Sequence, residues 1–456
     1  MKQPQFVVLI VIDCLRADHL RCYGYARDTS PTIDFLAALG VRFDSCYPQG
    51  IYTFPAHISL LTSIHHVSHQ LKNGDLFTYN VKTIADYLKD AGYTTAAFVS
   101  NGMLAGDLGL RDRFDFYDDG PWSHLHCEEN SKRTAQETTQ AVLNWLGKNK
   151  SKKTFLFIHF NDCHAPYIVP HPYSQLFVDD DLYHSMQKRL PIRPGPEAIN
   201  PKWAIGDRQD VNFYISQYDA AIRYVDEHIG RIYECLTNDV SIEDLLMIIT
   251  GDHGEAMGEH GIYFTHGKGF YEEFLRVPLI IAGGTIPRGR SLNEPVRHID
   301  ILPTVLELLN YAQLPEYVQG TSLLPLLTRA DGLRWCVDLF DVQGSSAYIR
   351  EGNWKYLVSN DYSLIHPRQG IAEVKRRISA LFSRPREELY NLRQDPAEKF
   401  NLVAEEKARA HELRRMLESL IKKYRSINLE VIESTGLHYA DEDQIKDRLR
   451  ALGYID

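Results

Sequence analysis

At 456 residues the chain exceeds one ordinary hydrophobic core and predicts a large domain with a smaller one beside it. With 44% hydrophobic and 11% aromatic residues it has the make-up of a globular protein, which excludes a disordered or fibrous one. A formal charge of −10 argues against binding duplex nucleic acid, whose footprint is net basic; a small anionic substrate stays open, because a local cation overrides the global field.

The first apolar run, 6–12, is too short to span a bilayer and has no cleavage site behind it, so it predicts a buried strand, not a signal peptide or membrane segment. It ends at Asp13. The seven cysteines (14, 22, 46, 127, 163, 235 and 336) are scattered without a Cys-x-x-Cys pair, as expected for a reduced, cytoplasmic setting. Next comes Tyr52-Thr53-Phe54-Pro55-Ala56-His57, leading into the apolar helical stretch 58–64. Thr53 sits where an N-cap would, with Pro55 in the first turn. It is either a plain cap or a hydroxyl at a helix start, where amides and dipole favour anionic oxygen.

An amphipathic stretch at 81–91 precedes the run 94–99, which ends at Ser100 and Asn101. A second, 134–146, precedes the run 154–160, which ends in Asn161-Asp162-Cys163-His164. Residues 166–210, rich in Pro, His, Tyr and Asp, lack periodicity and read as a lid or as a packed insertion. A third amphipathic stretch, 213–236, leads to the run 245–249, closed by Thr250-Gly251-Asp252-His253-Gly254-Glu255. Thr265-His266-Gly267-Lys268 follows, and then the run 278–282, which ends in Gly-Gly.

Unalternating apolar runs separated by amphipathic stretches predict an α/β doubly wound, mostly parallel sheet with helices on both faces. Ligands gather beyond the carboxyl ends of such strands, and four of the five runs place Asp or Asn there. An Asp beside a His, with a Gly for tight geometry, can grip a divalent cation, and Asp13 at another strand end would join them. His164 can protonate a leaving group, and His266 with Lys268 can clamp a developing oxyanion. Past about 335 the pattern changes to hairpin strands at 346–349 and 354–359, a strand at 387–392 and a charged helix at 403–424, so the expected division is 1–335 and a small α+β domain at 336–456.

These segments, in this order, resemble the alkaline phosphatase superfamily and its sulfatase-like branch. Val11-Ile12-Asp13-Cys14-Leu15-Arg16 resembles the family's first metal strand, and Thr53-Phe54-Pro55-Ala56-His57 with Leu60-Leu61-Thr62 falls where sulfatases carry Cys-x-Pro-Ser-Arg and Leu-Leu-Thr-Gly. Residues 157–167, 218–231, 251–261, 268–280, 300–308, 320–327, 388–402 and 449–455 are similar to further family segments, so the resemblance covers nearly the whole chain. It implies Asp13, Asp252 and His253 as metal ligands, Thr53 as both ligand and nucleophile, and His164, Lys268, His266 and Asn101 around the substrate. His57 stands where the family has its Arg, and Cys14 where it has a second Asp.

Sulfatases convert Cys or Ser to an aldehyde hydrate, which threonine cannot become; threonine here is similar instead to nucleotide pyrophosphatase-like phosphodiesterases and to phosphoglycerol and phosphoethanolamine transferases. The expectation is a hydrolase of small anionic phosphate-type esters (phosphodiester, phosphonate monoester or phosphomonoester) working through a covalent Thr53 intermediate. The alternatives are a sulfuric ester hydrolase and a phospho-group transferase. Oxygen ligands with one imidazole suit Mn, Mg or Ca, and further His ligands would favour Zn, as one ion or two. A homo-oligomer is compatible with the sequence.

Overall fold

The computed structural model describes residues 3–123, 133–149, 153–185, 199–238, 240–311, 313–328, 335–359 and 386–430, with 443 and 445–447. Cys127, residues 186–198 of the expected excursion and the terminal stretch 449–455 lie outside the described residues.

Strand β1 (Phe6–Ile12) is wholly buried and lies at the centre of a nine-stranded sheet. The others are β2 (Gly40–Tyr47), β3 (Thr94–Phe98), β4 (Phe116–Asp118), β5 (Thr154–Phe160), β6 (Leu245–Gly251), β9 (Val277–Gly283), β10 (Arg290–Leu292) and β11 (Val296–Arg297). Between β6 and β9 a small hairpin, β7 (Ala256–Met257) with β8 (Tyr263–Thr265), stands off the sheet. The order is β10-β2-β9-β6-β1-β5-β3-β4, with β11 also on β2. β1 runs parallel to β5 and β6, and β3 to β4 and β5. Only β9 is reversed, pairing antiparallel with both β6 and β2. That reversal explains its Gly-Gly end: its carboxyl terminus lies at the opposite edge from those of β1, β5 and β6.

Alternate residues of β1 feed two cores. Val7, Leu9 and Val11 pack with Phe54, Ile58 and Leu61 of the Thr53–Thr62 helix and with Ile301 and Val305 of the Ile301–Leu308 helix. Phe6, Val8, Ile10 and Ile12 pack with Val142 of the Ala135–Asn149 helix and with Tyr218, Ile222 and Val225 of the Val211–Thr237 helix. A strand with an apolar layer on each face has no polar side to alternate, which is why it reads as one continuous run.

Helix starts follow their caps. The helix expected over 81–91 begins at Ile84 because Thr83 and Asp86 form a capping box; the one expected from 213 begins at Val211 because the Asp210 side chain accepts from the Asn212 amide. β2 escapes a run-based reading, since near the sheet edge its burial is broken by half-exposed Arg42, Asp44 and Ser45. The described part of 166–210 packs onto the protein: Arg27 holds Asp180 at 2.7 Å, and the Tyr173 hydroxyl donates to Glu227.

A four-stranded antiparallel sheet, β12 (Leu339–Gln343), β13 (Ser346–Glu351), β14 (Trp354–Ser359) and β15 (Arg386–Asn391), follows with the Lys407–Arg425 helix against it. It shares an apolar cluster with the main sheet region, in which Tyr47, Ile51, Phe270 and Phe274 meet Leu339, Tyr348, Leu357 and Tyr390. Among the described residues no helix is long and apolar enough to cross a membrane.

Candidate active site

The ends of β1 and β6 bring the first carboxylates together. Asp13 and Asp252 are buried, and the Cys14 amide donates to Asp252 Oδ1 at 3.0 Å, as does the His253 amide at 2.8 Å. These two bonds occupy Oδ1 and leave Asp252 Oδ2 buried with no hydrogen-bond partner among the described residues. Asp13 Oδ2 accepts from Asn101 Nδ2 at 2.8 Å, while its Oδ1 accepts from the Cys14 thiol at 3.2 Å. Asn101 comes from the end of β3, and Asn161 at the end of β5 accepts its second amide hydrogen at 3.1 Å.

His253 is oriented by its backbone. Its Nδ1 lies 3.1 Å from the Gly254 carbonyl, which can only accept, so Nδ1 carries the proton and Nε2 presents a lone pair. That Nε2 sits 3.5 Å from Asp252 Oδ2 and 4.0 Å from Asp13 Oδ1, and no group among the described residues hydrogen-bonds to it. Gly254 is required there: a Cβ would come 1.9 Å from the Glu273 carbonyl oxygen.

Thr53 is the first residue of its helix, and Tyr52, not Thr53, is the N-cap. Relieved of capping, Thr53 Oγ1 is buried without a hydrogen-bond partner among the described residues. One turn on, His57 Nδ1 donates to the Thr53 carbonyl at 2.6 Å and lies 3.9 Å from Asp252 Oδ2, so the helix start is directed at the carboxylates.

Asp252 Oδ2 and His253 Nε2, neither with a hydrogen-bond partner among the described residues, and Asp13 Oδ1 form a donor set that fits a divalent cation. Electrostatics point the same way. Burial and then the neighbouring Asp252 push Asp13 up to about 7, and burial pushes Asp252 to about 7 as well. Neither has a Lys or Arg partner among the described residues, so a cation is the counter-charge this pair calls for. Burial holds His57 down to about 3 and His253 and His266 to about 4, keeping these imidazoles neutral.

His164 and His266 also reach the cluster. His266 Nδ1 lies 3.3 Å from Glu255 Oε1, and its ring centroid is 4.4 Å from that of His253 and 5.2 Å from that of His164. His164 Nδ1 donates to the Ala165 carbonyl at 2.6 Å, so Nε2 carries the ring's lone pair. Lys268 is a different case: beyond the Gly267 turn (φ +76°) it is exposed, on the wall of a cavity of about 280 Å3 with His260, Tyr271 and Glu388. Asn101, expected at the substrate, spends both amide hydrogens on Asp13 and Asn161, and its oxygen accepts from the Met103 amide. It positions Asp13.

Two histidines escape sequence reasoning. His159 sits inside β5, buried, its Nε2 3.6 Å from Asp13 Oδ2, with neither ring nitrogen hydrogen-bonded among the described residues. Its signal is that it is the one titratable side chain in Thr154–Phe160. His298 holds Thr250 Oγ1 at 3.0 Å behind Asp252, and nothing in its local sequence marks it.

A doubly wound sheet carrying paired carboxylates, an imidazole and a buried hydroxyl at its carboxyl edge defines an ester hydrolase of the alkaline phosphatase type. The family follows from direct comparison. The Sulfatase family model matches residues 5–311, and the chain belongs to that family. A second model, N-sulphoglucosamine sulphohydrolase, C-terminal, matches residues 258–426. Uncharacterized sulfatase YidJ of Escherichia coli is 27% identical over 88% of this chain and 84% of its own length. Choline-sulfatase of Rhizobium meliloti is 24% identical over 82% and 77%. Among solved structures, the phosphonate monoester hydrolase of Agrobacterium radiobacter superposes with a TM-score of 0.71 at 22% identity, covering 92% of this chain and 96% of that one.

Proposed function

We propose that the protein hydrolyses a small anionic phosphate-type ester, a phosphodiester, phosphonate monoester or phosphomonoester, with Thr53 Oγ1 as the nucleophile. What carries this reading is the buried Thr53 hydroxyl, without a hydrogen-bond partner among the described residues, in the first turn of a helix whose His57 comes within 3.9 Å of Asp252 Oδ2.

Asp13, Asp252, His253 and Thr53 would hold a divalent cation, which when bound supplies charge stabilisation for anionic oxygen. The first-turn amides of the Thr53–Thr62 helix add their dipole at the same place. The Thr53 hydroxyl gives its proton to a neutral imidazole nitrogen of His164 or His266 as Oγ1 forms its bond to phosphorus, and that imidazolium returns the proton to the leaving oxygen as its bond to phosphorus breaks. Water then attacks phosphorus and the Thr53 O–P bond breaks, restoring the hydroxyl. Lys268, at the surface, meets only the outer part of a substrate. The phosphonate monoester hydrolase among the structural neighbours is consistent with this chemistry.

A second reading, sulfuric ester hydrolysis by direct attack of Thr53, is supported by the names of the relatives. A panel of p-nitrophenyl phosphate, its phosphodiester, an aryl phosphonate and p-nitrophenyl sulfate separates the two. The test of the nucleophile is Thr53→Ala, which is expected to lower turnover on the order of 10^3-fold or more with unchanged circular dichroism. Unchanged turnover removes the assignment.

A further inference from the structure

A cavity of about 360 Å3 opens where β2, the chain entering β9 and β13 come together, and Arg42, Arg276 and Arg350 line it. Asp13, Thr53, Asp252 and His253 are not among its described lining residues. Arg42 shows the ordinary state of such a side chain. Its Nε and Nη2 each lie 2.8 Å from Asp44 Oδ1, its Nη1 donates to the Cys22 carbonyl, and its guanidinium covers the Tyr23 ring.

The other two arginines are not answered in that way. Arg276 donates from Nε to the Asp44 carbonyl at 3.0 Å, and neither Nη has a partner among the described residues. Asp18, the acid it acts on, is already gripped by both arms of Arg16, at 2.9 and 2.8 Å. Arg350 donates from Nε to the Gly352 carbonyl and from Nη1 to the Tyr47 hydroxyl, and its Nη2 has no partner among the described residues. Glu272 Oε2 lies 3.7 Å from Arg350, but that carboxylate is committed to the Tyr47 hydroxyl at 2.8 Å and to buried Lys355 at 2.9 Å. Burial pulls Arg350 down to about 10. Counting Lys355 and its second acid, Glu398, four cations here face three carboxylates, in a chain whose net charge is −10.

We infer that this cavity binds a tetrahedral dianion of the phosphate or sulfate kind, clamped between the Arg276 and Arg350 guanidiniums. Their open N–H groups are the donors that an oxyanion accepts from, and guanidinium is the side chain best shaped for it. The two come from different walls, so they suit an anion whose oxygens point to four corners better than a planar carboxylate. A dianion also offsets both uncompensated charges. Because Arg276 belongs to the main sheet region and Arg350 to the antiparallel sheet, the bound anion is a clasp between the two. The binding does not depend on the cation site proposed above.

The test is calorimetric. Full-length protein is titrated with inorganic phosphate, once as purified and once in EDTA. Saturable binding that EDTA leaves in place is expected, since no divalent ion takes part. Arg276→Gln and Arg350→Gln should each weaken it by ~10-fold or more, and acetate should not compete. Ser45→Glu puts a carboxylate on the cavity wall without removing any bond described above, and should abolish binding even where an arginine variant fails to fold. Sulfate titrated beside phosphate separates the two sources, the tighter anion being the occupant. No binding in EDTA, unchanged binding in any folded variant of the three, or acetate as tight as phosphate overturns the inference. The Asp13–Asp252–His253 site is judged apart, because any phosphate it holds through a cation is the fraction that EDTA releases.

Discussion

Asn101 shows how a side chain at the edge of a site governs its centre. It fixes Asp13 Oδ2 through one amide hydrogen and is itself fixed by Asn161 and the Met103 amide. Asn101→Ala should therefore weaken divalent-ion binding by about 10–100-fold without unfolding the chain, read by competition with a metallochromic chelator. Gly254 is governed by space, not by bonding. Gly254→Ala puts a methyl against the Glu273 carbonyl, where backbone has to move, and should cost on the order of 3 kcal/mol or more in urea unfolding. Asp13, Asp252 and His253 were legible because a polar residue closing a buried apolar run has few bland explanations. Lys268 and His266 were not separable in that way. They stand two residues apart around Gly267, and only the turn decides that one is buried and the other faces solvent.

Among the elements, the strands that lie between parallel neighbours were legible because both faces are apolar, whereas the burial of β2 is interrupted and β4, β10 and β11 are too short to form a run. Direction was hidden as well, since a run of apolar residues has no arrow; reversed β9 declared itself only by lacking a carboxylate at its end. The Val211–Thr237 helix has a duty beyond covering the sheet. Its Tyr218 hydroxyl donates to the Cys14 carbonyl at 2.7 Å and accepts from the Arg16 amide at 2.9 Å, bracing the left-handed turn after β1. Tyr218→Phe leaves two buried backbone groups unpaired and should destabilise the fold by about 1–3 kcal/mol, measured by denaturant midpoint.

The molecule as a whole is joined through histidines as well as apolar surface. His65 accepts from the Val67 amide at Nδ1 and donates from Nε2 to the Phe340 carbonyl of β12, so its neutral form is the one built in. Burial holds it at about 4, against an ordinary 6.5. An unfolded chain takes up the proton first, so this contribution is complete above about 6.5 and is lost as the pH falls toward 4, up to about 3 kcal/mol. The urea midpoint should fall across that window, and His65→Met, less stable at neutral pH, should lose less of its remaining stability there.

Asp341 of β12 makes the other tie: its Oδ1 holds His66 Nδ1 at 2.9 Å, and its Oδ2 takes the Gly50 amide at 2.6 Å, three residues ahead of Thr53. Cutting the gene after codon 335 would therefore not liberate a working minimal enzyme. The fragment would lose the acceptor that pins the approach to Thr53 and would bare Tyr47, Ile51, Phe270 and Phe274 to water. Such a product should pellet on expression, and co-production of the missing segment should return it to the supernatant.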